Sequence, residues 1–283
     1  MPRSLILFFT SCLIAFTTPV LSQVDGQSAK DVMLKTINST RNIKTLSYTI
    51  DKTERIDGEL IKQVTFSKLN RNPLKVYLRQ EYPKDGMEVL FAGGGKALIN
   101  PNGFPWFNLR LSPLGNLVRE NQHHTILESG YDHVINVFEH IIIKYDTIID
   151  SMLTIEKDTV WDNRAVWKIQ FRNPSYNVHD YTMQKGETVM QVARRDMLSE
   201  YWLIEQNEVL KSFNDERPGT VIKRPSDYAP SMELYIDKSR FIPLIMKVYD
   251  HKGLFENYTY TDVAVDPGFE EEEFEKGYHA YGF

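Results

Sequence analysis

Two runs of alternating apolar and polar residues flank a segment that has a different pattern. Val166–Phe171 and Met232–Ile236 both show the two-residue period of a half-buried β-strand. Between them, residues 181–225 change to a strand, helix, helix, strand pattern, and the joining stretches carry Pro, Ser, Asn and Asp. Insertions are tolerated at exposed loop tips, so we predict a β-hairpin whose connection is replaced by a small inserted module.

The inserted module is predicted from local signals. A strand pattern begins at Tyr181, Thr188 can cap one short helix, and Ser199 can cap a second. Pro218-Gly219 predicts a turn before a closing strand that ends at Pro225. In order and landmarks this segment resembles the LysM domain, a βααβ fold whose family binds N-acetylglucosamine polymers such as peptidoglycan and chitin.

The LysM resemblance implies a shallow sugar-binding groove between the first loop and the loop after the second helix. By position, the groove residues are Gly186, Glu187, Thr188 and Val189 on one side, and Asn207, Glu208, Val209 and Leu210 on the other. Some of them also have a purely structural interpretation. Gly186 and Thr188 suit a turn and a helix cap, and Asn207 can end a helix.

The remainder of the chain, residues 23–176 and 229–283, predicts one β-rich host domain. Ser28 with Asp31 predicts a capped N-terminal helix, and strand-like runs follow it. The segment from Ile236 to Gly268 is similar to the C-terminal half of the LolA-like lipoprotein carriers. The resemblance implies an α+β fold, with a curved antiparallel sheet or unclosed barrel whose helices cover an apolar concavity.

A second helix, predicted over Ser129–Tyr145, is a candidate lid for that concavity. Its apolar face carries Val134, Phe138, Ile141 and Ile142. These four residues either seal an apolar cavity or simply fill the core. Trp106, within Phe104–Phe107, is a further candidate for the mouth of the cavity; the alternatives are contact with a lipid and packing beneath a loop.

The N-terminus predicts export to the periplasm or cell envelope. Arg3 precedes a mostly apolar stretch over Leu5–Val20, so residues 1–22 are interpreted as a signal peptide cleaved after Ser22. Cys12, the only cysteine, lies inside that stretch, which excludes disulfides from the mature chain. The formal net charge of −5 and the lack of a basic stripe argue against a nucleic-acid partner.

The sequence suggests no catalytic constellation, cofactor or metal site. His133 and His140 lie seven residues apart on the predicted second helix, but no third ligand is evident beside them. The leading hypothesis is therefore a non-enzymatic envelope protein. Its inserted module would bind peptidoglycan or another N-acetylglucosamine polymer, and its host domain a lipid or lipoprotein. The alternatives are a structural scaffold without a ligand and a cell-wall hydrolase that uses unrecognised carboxylates.

Overall fold

The protein is described here by a computed structural model that covers residues 27–283; the predicted signal peptide, residues 1–22, lies outside the described residues. The first element is helix α1 (Ala29–Asn42). Its predicted capping box is confirmed, because Ser28 Oγ accepts from the Asp31 N–H at 3.1 Å and the Asp31 carboxylate accepts from the Ser28 N–H at 3.2 Å. Six strands follow: β1 (Thr45–Ile56), β2 (Glu59–Arg71), β3 (Leu74–Tyr82), β4 (Glu88–Phe91), β5 (Ala97–Asn100) and β6 (Leu109–Leu111).

Short helices then cross to the second half of the sheet. They are α2 (Asn116–Arg119), a 3₁₀ turn (Ile126–Glu128), α3 (Asp132–Lys144) and α4 (Ile149–Met152). Helix α3 is the predicted lid helix, and it begins three residues later than expected. Gly130 adopts a φ of +85° and its N–H donates to the Tyr48 hydroxyl at 2.9 Å, so the chain at this point belongs to a turn against the sheet.

The remaining host strands complete a single large sheet. They are β7 (Leu153–Trp161), β8 (Arg164–Arg172), β11 (Ser231–Asp237), β12 (Pro243–Asp250) and β13 (Gly253–Val265), followed by a 3₁₀ turn (Glu271–Phe274). The strand order is β6-β5-β4-β3-β2-β1-β13-β12-β11-β8-β7, and every pairing is antiparallel. Because β6 and β7 do not pair within residues 27–283, the sheet is unclosed, as predicted.

The host core lies between one face of the sheet and the helices. Helix α3 buries Val134, Phe138, Ile141 and Ile142 there, and the Phe138 ring lies 6.2 Å from that of Phe171 on β8. A smaller apolar cluster, centred on Tyr77, Leu90 and Phe274, is packed against Phe66 of β2. The apolar face of the helix and the alternating apolar residues of the strands thus pack into the same core. Both patterns follow directly from burial on one face, so the sequence alone predicted these elements.

The segment predicted as an inserted module lies between β8 and β11, and its buried apolar residues belong to the same core cluster as those of the host. It consists of β9 (Val178–Thr182), α5 (Val189–Arg195), α6 (Glu200–Glu205) and β10 (Val221–Pro225), with β9 and β10 paired in a separate two-stranded sheet. The flanking strands β8 and β11 are antiparallel neighbours, as predicted, with Phe171 opposite Met232. The Ser226 N–H donates to the Asn177 carbonyl at 2.9 Å, so the chain leaves and re-enters the host at adjacent points.

Candidate functional site

A cavity of about 150 Å³ lies on one face of the sheet, beside the segment of residues 122–134. Alternate side chains of a strand face the same way, and the cavity is built from such stripes. Strand β1 contributes Tyr48, Ile50, Lys52 and Glu54, β2 contributes Gln63, Thr65 and Ser67, and β13 contributes Tyr258 and Tyr260. The wall also includes half-buried apolar side chains, Leu78 and Val89. The cavity therefore has an apolar wall and a polar end.

Glu256 lies behind the polar end of the cavity, next to the lining residue His124, and its side chain is fully buried. His123 Nδ1 lies 2.7 Å from its Oε1, and the Tyr228 hydroxyl donates to both carboxylate oxygens at 3.0 Å. His124 Nε2 lies 3.4 Å from the same Oε1. Burial opposes ionisation, but the hydrogen bonds and charges of His123 and His124 outweigh it and lower the pKa of Glu256.

Glu54 places a second buried carboxylate next to Glu256. It accepts from the Tyr258 hydroxyl at 2.7 Å and from the His123 N–H at 3.2 Å. Burial again opposes ionisation, while the charges of Lys52, His123 and His124 lower the pKa of Glu54. The polar end of the cavity therefore brings buried carboxylates together with Lys52 and with histidines.

His123 is held in place on all sides. Its Nε2 lies 2.8 Å from the Arg55 carbonyl, so both ring nitrogens face acceptor oxygens. The ring stacks on Tyr201 of α6 and packs against Phe255, each with centroids 4.4 Å apart. Because Tyr201 belongs to the inserted module, the module closes over this side of the site.

His124, Glu128 and His133 form a second group that lines the cavity. One nitrogen or oxygen from each residue lies within 4.8 Å of the others. Burial disfavours a charged His124, yet its bonds to Glu128 and Glu256 raise the pKa of His124 to about 10. Burial and the charge of His124 instead lower the pKa of His133 to about 4, which leaves that ring neutral at neutral pH. His133 Nε2 is buried without a hydrogen-bond partner.

The predicted cavity residues occupy different places. Val134 lines the cavity, whereas Phe138, Ile141 and Ile142 pack in the core and do not touch it. Trp106 is 84% exposed on the loop between β5 and β6 and is absent from the cavity wall. It meets Phe104 in an edge-on contact at 5.2 Å, and the two rings project into solvent. The helix stripe serves the core, and the aromatic loop lies outside the cavity.

In the first predicted groove loop, several polar groups already form hydrogen bonds within the module. Gly186 has a φ of +80° at an exposed turn. The Glu187 carboxylate accepts from the Tyr181 hydroxyl at 2.7 Å and also pairs with Arg195. Thr188 caps α5 as predicted, since its side chain accepts from the N–H of Gln191. Val189 is buried, and its N–H donates to the Asp215 carbonyl at 3.2 Å.

The second predicted groove loop offers fewer free groups than the resemblance implies. Asn207 is buried; its amide donates to the Leu203 and Lys223 carbonyls and accepts from the Lys223 N–H at 2.7 Å. Leu210 is also buried, while Glu208 and Val209 are exposed. Asn207 therefore follows the end of α6 and ties that helix to β10, so its side chain has a structural role.

Apart from Val134, the sequence interpretation missed the residues that converge at the cavity and at the buried carboxylates beside it. A signal was present in Phe255–Tyr260, where Glu256, Tyr258 and Tyr260 fall on one face of a strand with period two. A second signal was the spacing of His124 and Glu128, four residues apart. Neither signal reveals that the two segments meet, because they are more than 120 residues apart in the chain.

Comparison with solved structures finds low-scoring similarities over most of the chain. The Mycobacterium tuberculosis lipoprotein LppX matches with a TM-score of 0.43 and 11% identity, covering 86% of this chain and 97% of LppX. A LolA superfamily protein from Nitrosomonas europaea matches with a TM-score of 0.33 and 10% identity, covering 89% and 99%. A putative outer membrane lipoprotein-sorting protein domain from Vibrio parahaemolyticus gives 0.31 and 11%, covering 88% and 96%.

The sequence itself matches a family profile. No curated protein matches the chain. Within residues 27–283, no helix is long and apolar enough to span a membrane. The profile described as "Protein of unknown function (DUF1571)" matches residues 43–199, which include the first half of the host and end inside the inserted module. This match spans more than half of the 283 residues, and the chain belongs to the DUF1571 family.

Proposed function

We propose that this protein is an exported cell-envelope binding protein that acts by binding and not by catalysis. Its host cavity would hold an apolar or amphipathic small molecule, such as a lipid or the lipid part of a lipoprotein. The observation that carries the proposal is the cavity of about 150 Å³ with an apolar wall and a charged, histidine-bearing polar end. Apolar ligand sites with a few convergent polar groups have this composition.

The size of the cavity limits what fits completely inside it. A dry cavity of about 150 Å³ accommodates a molecule of roughly the size of benzene. A longer acyl chain would therefore lie only partly inside the cavity, against the half-buried side chains of Ile50, Leu78 and Val89, and would extend out of it. The exposed ring of Trp106, which contacts that of Phe104, is suited to contact with a lipid surface, because tryptophan is enriched at the membrane–water interface.

The test is binding of an environment-sensitive apolar dye to the folded protein, followed by displacement with phospholipid or fatty acid. Thr65→Trp should block the cavity and reduce dye binding at least tenfold, because Thr65 lines the cavity. Leu60→Trp is the matched control, since Leu60 lies on the same strand at a position that is 54% exposed. Equal dye binding by Thr65→Trp and the wild type would contradict the proposal, as would a wild type that binds no dye.

A second proposed function is glycan binding by the inserted module as a LysM domain. It is supported by the strand, helix, helix, strand order of β9, α5, α6 and β10. The exposed turn at Gly186 and the exposed residues Glu208 and Val209 are the groups that remain available to a sugar. Peptidoglycan is the proposed partner, and a purified sacculus is the appropriate probe.

Point substitutions test glycan binding better than deletion of the module, because α6 packs on His123. Gly186→Tyr should reduce retention on purified peptidoglycan. Gly219→Tyr is the matched control, since both glycines have a φ near +80° and neither has an atom within 4 Å of an added Cβ. Equal retention of the two variants would exclude this groove. Release of soluble muropeptides by the wild type would instead favour the hydrolase alternative.

A further inference from the structure

The group formed by His124, Glu128 and His133 has the donor atoms of a transition-metal site. Two imidazoles and one carboxylate are a ligand set that proteins use for Zn²⁺ with a fourth position left open. Bonds of about 2.1 Å to a tetrahedral ion place neighbouring donor atoms about 3.4 Å apart. His124 Nδ1 and Glu128 Oε2 lie 3.5 Å apart, and the donors of all three residues lie within 4.8 Å of one another.

His133 supplies an independent observation. Its Nε2 is buried and has no hydrogen-bond partner, although the ring of His124 lies only 4.4 Å away between centroids. A buried nitrogen without a partner carries an energetic cost, which a bound cation would remove. His124 has partners in Glu128 and Glu256 without any metal, but that ion pair leaves His133 unexplained.

The surroundings orient the ligands as a metal site requires. With His124 Nδ1 directed to the ion, its Nε2–H remains free to donate to Glu256, whose Oε1 lies 3.4 Å away. Such a carboxylate behind a ligating histidine fixes the ring and increases its basicity. Glu128 is similarly supported, because its Oε2 accepts from the Thr125 N–H at 2.9 Å and its Oε1 faces Arg194 of the module at 3.4 Å.

We propose that His124, Glu128 and His133 bind one Zn²⁺ ion at the wall of the host cavity. All three residues line the cavity, so the fourth coordination position faces its interior. The site is distinct from any apolar ligand in the cavity, and its test does not require that ligand. Metal binding and dye binding can therefore succeed or fail separately.

The experiment uses the untagged mature chain, stripped with a chelator and titrated with Co²⁺. We expect one Co²⁺ per chain with the strong visible absorption of a four-coordinate site, and its displacement by one equivalent of Zn²⁺. His133→Gln and Glu128→Gln should each weaken Co²⁺ binding at least about 100-fold, because each removes a ligand. His140→Gln should bind like the wild type, since His140 lies on the same helix outside the cluster.

Circular dichroism and urea unfolding show whether each variant is folded. If a variant does not fold, X-ray absorption spectroscopy of the wild-type Co²⁺ protein identifies the ligands instead. We expect its spectrum to show two imidazole ligands. Absence of stoichiometric binding by the wild type would overturn the proposal. So would unchanged binding in folded His133→Gln and Glu128→Gln proteins, or a Co²⁺ spectrum without imidazole ligands.

Discussion

Two carboxylates, Glu256 in the host and Glu187 in the inserted module, have similar partners but different surroundings. Each accepts from a tyrosine hydroxyl, Tyr228 or Tyr181, and each lies against a basic side chain. Glu256 has no exposed surface, whereas the side chain of Glu187 is 16% exposed at the rim of a loop. Glu256 is enclosed by the fold, whereas Glu187 joins two parts of the inserted module.

The difference shows which part of the molecule has polar groups that are available to a ligand. In the module, Glu187, Thr188 and Asn207 hold the loops in place by bonds within the module. In the host, polar groups from β1, β13 and the segment of residues 122–134 meet at a cavity, and His133 keeps a buried nitrogen without a partner. The resemblance to a sugar-binding domain drew attention to the module, but the polar groups that remain available to a ligand lie in the host.

The largest effect is expected at the host carboxylate. In the metal-free protein, Glu256→Ala should lower the free energy of unfolding by about 3–5 kcal/mol, because it leaves His123 and Tyr228 buried without their acceptor. Urea unfolding measures the change. Glu256→Gln keeps an acceptor oxygen and should cost less. A Glu256→Ala protein as stable as the wild type would show that the buried network does not stabilise the host.

A smaller effect is expected at Asp227, where the chain returns from the module to the host. Its buried carboxylate accepts from Lys144 at 2.7 Å, Tyr145 at 2.8 Å and Asn173 at 2.9 Å. Asp227→Ala should cost about 2–3 kcal/mol, roughly the value of one hydrogen bond to a charged group, because the partly exposed Lys144 can bond to water instead and the losses at the three donors are not additive. Asp227→Asn is the matched control. Equal unfolding midpoints for wild type and Asp227→Ala would contradict a tethering role.

Local signals in the sequence predicted much of the fold. The capping pair of Ser28 and Asp31, the cap at Thr188 and the pairing of the strands on either side of the module all depend on nearby residues or on a two-residue period. The predicted strand and helix order of the module depends on the same kind of signal. Such patterns are legible without an alignment, because they reflect the geometry of a single element.

The candidate site was not predictable in the same way. Glu54, His123 and Glu256 come from distant parts of the chain and meet only through the order of the strands. Tyr201 reaches His123 only because α6 packs onto the host, and no local pattern specifies that contact. The sequence analysis considered His133 with His140 because of their helical spacing and found no metal site, whereas the structure places the His133 ring 4.4 Å from that of His124.

The smallest effect is expected at the module carboxylate. Burial opposes ionisation of Glu187, but bonds from Tyr181, Gln184 and Arg195 lower its pKa below the usual 4.5. A lowered folded-state pKa means that the stabilisation is fully present above pH 4.5 and is lost as the pH falls through the lowered value. Glu187→Gln should therefore be less stable than the wild type at pH 7, by under about 1 kcal/mol. The difference should shrink steadily in urea unfolding at pH 4 and pH 3. A difference that stays constant with pH would mean that the ion pair with Arg195 does not hold the loop.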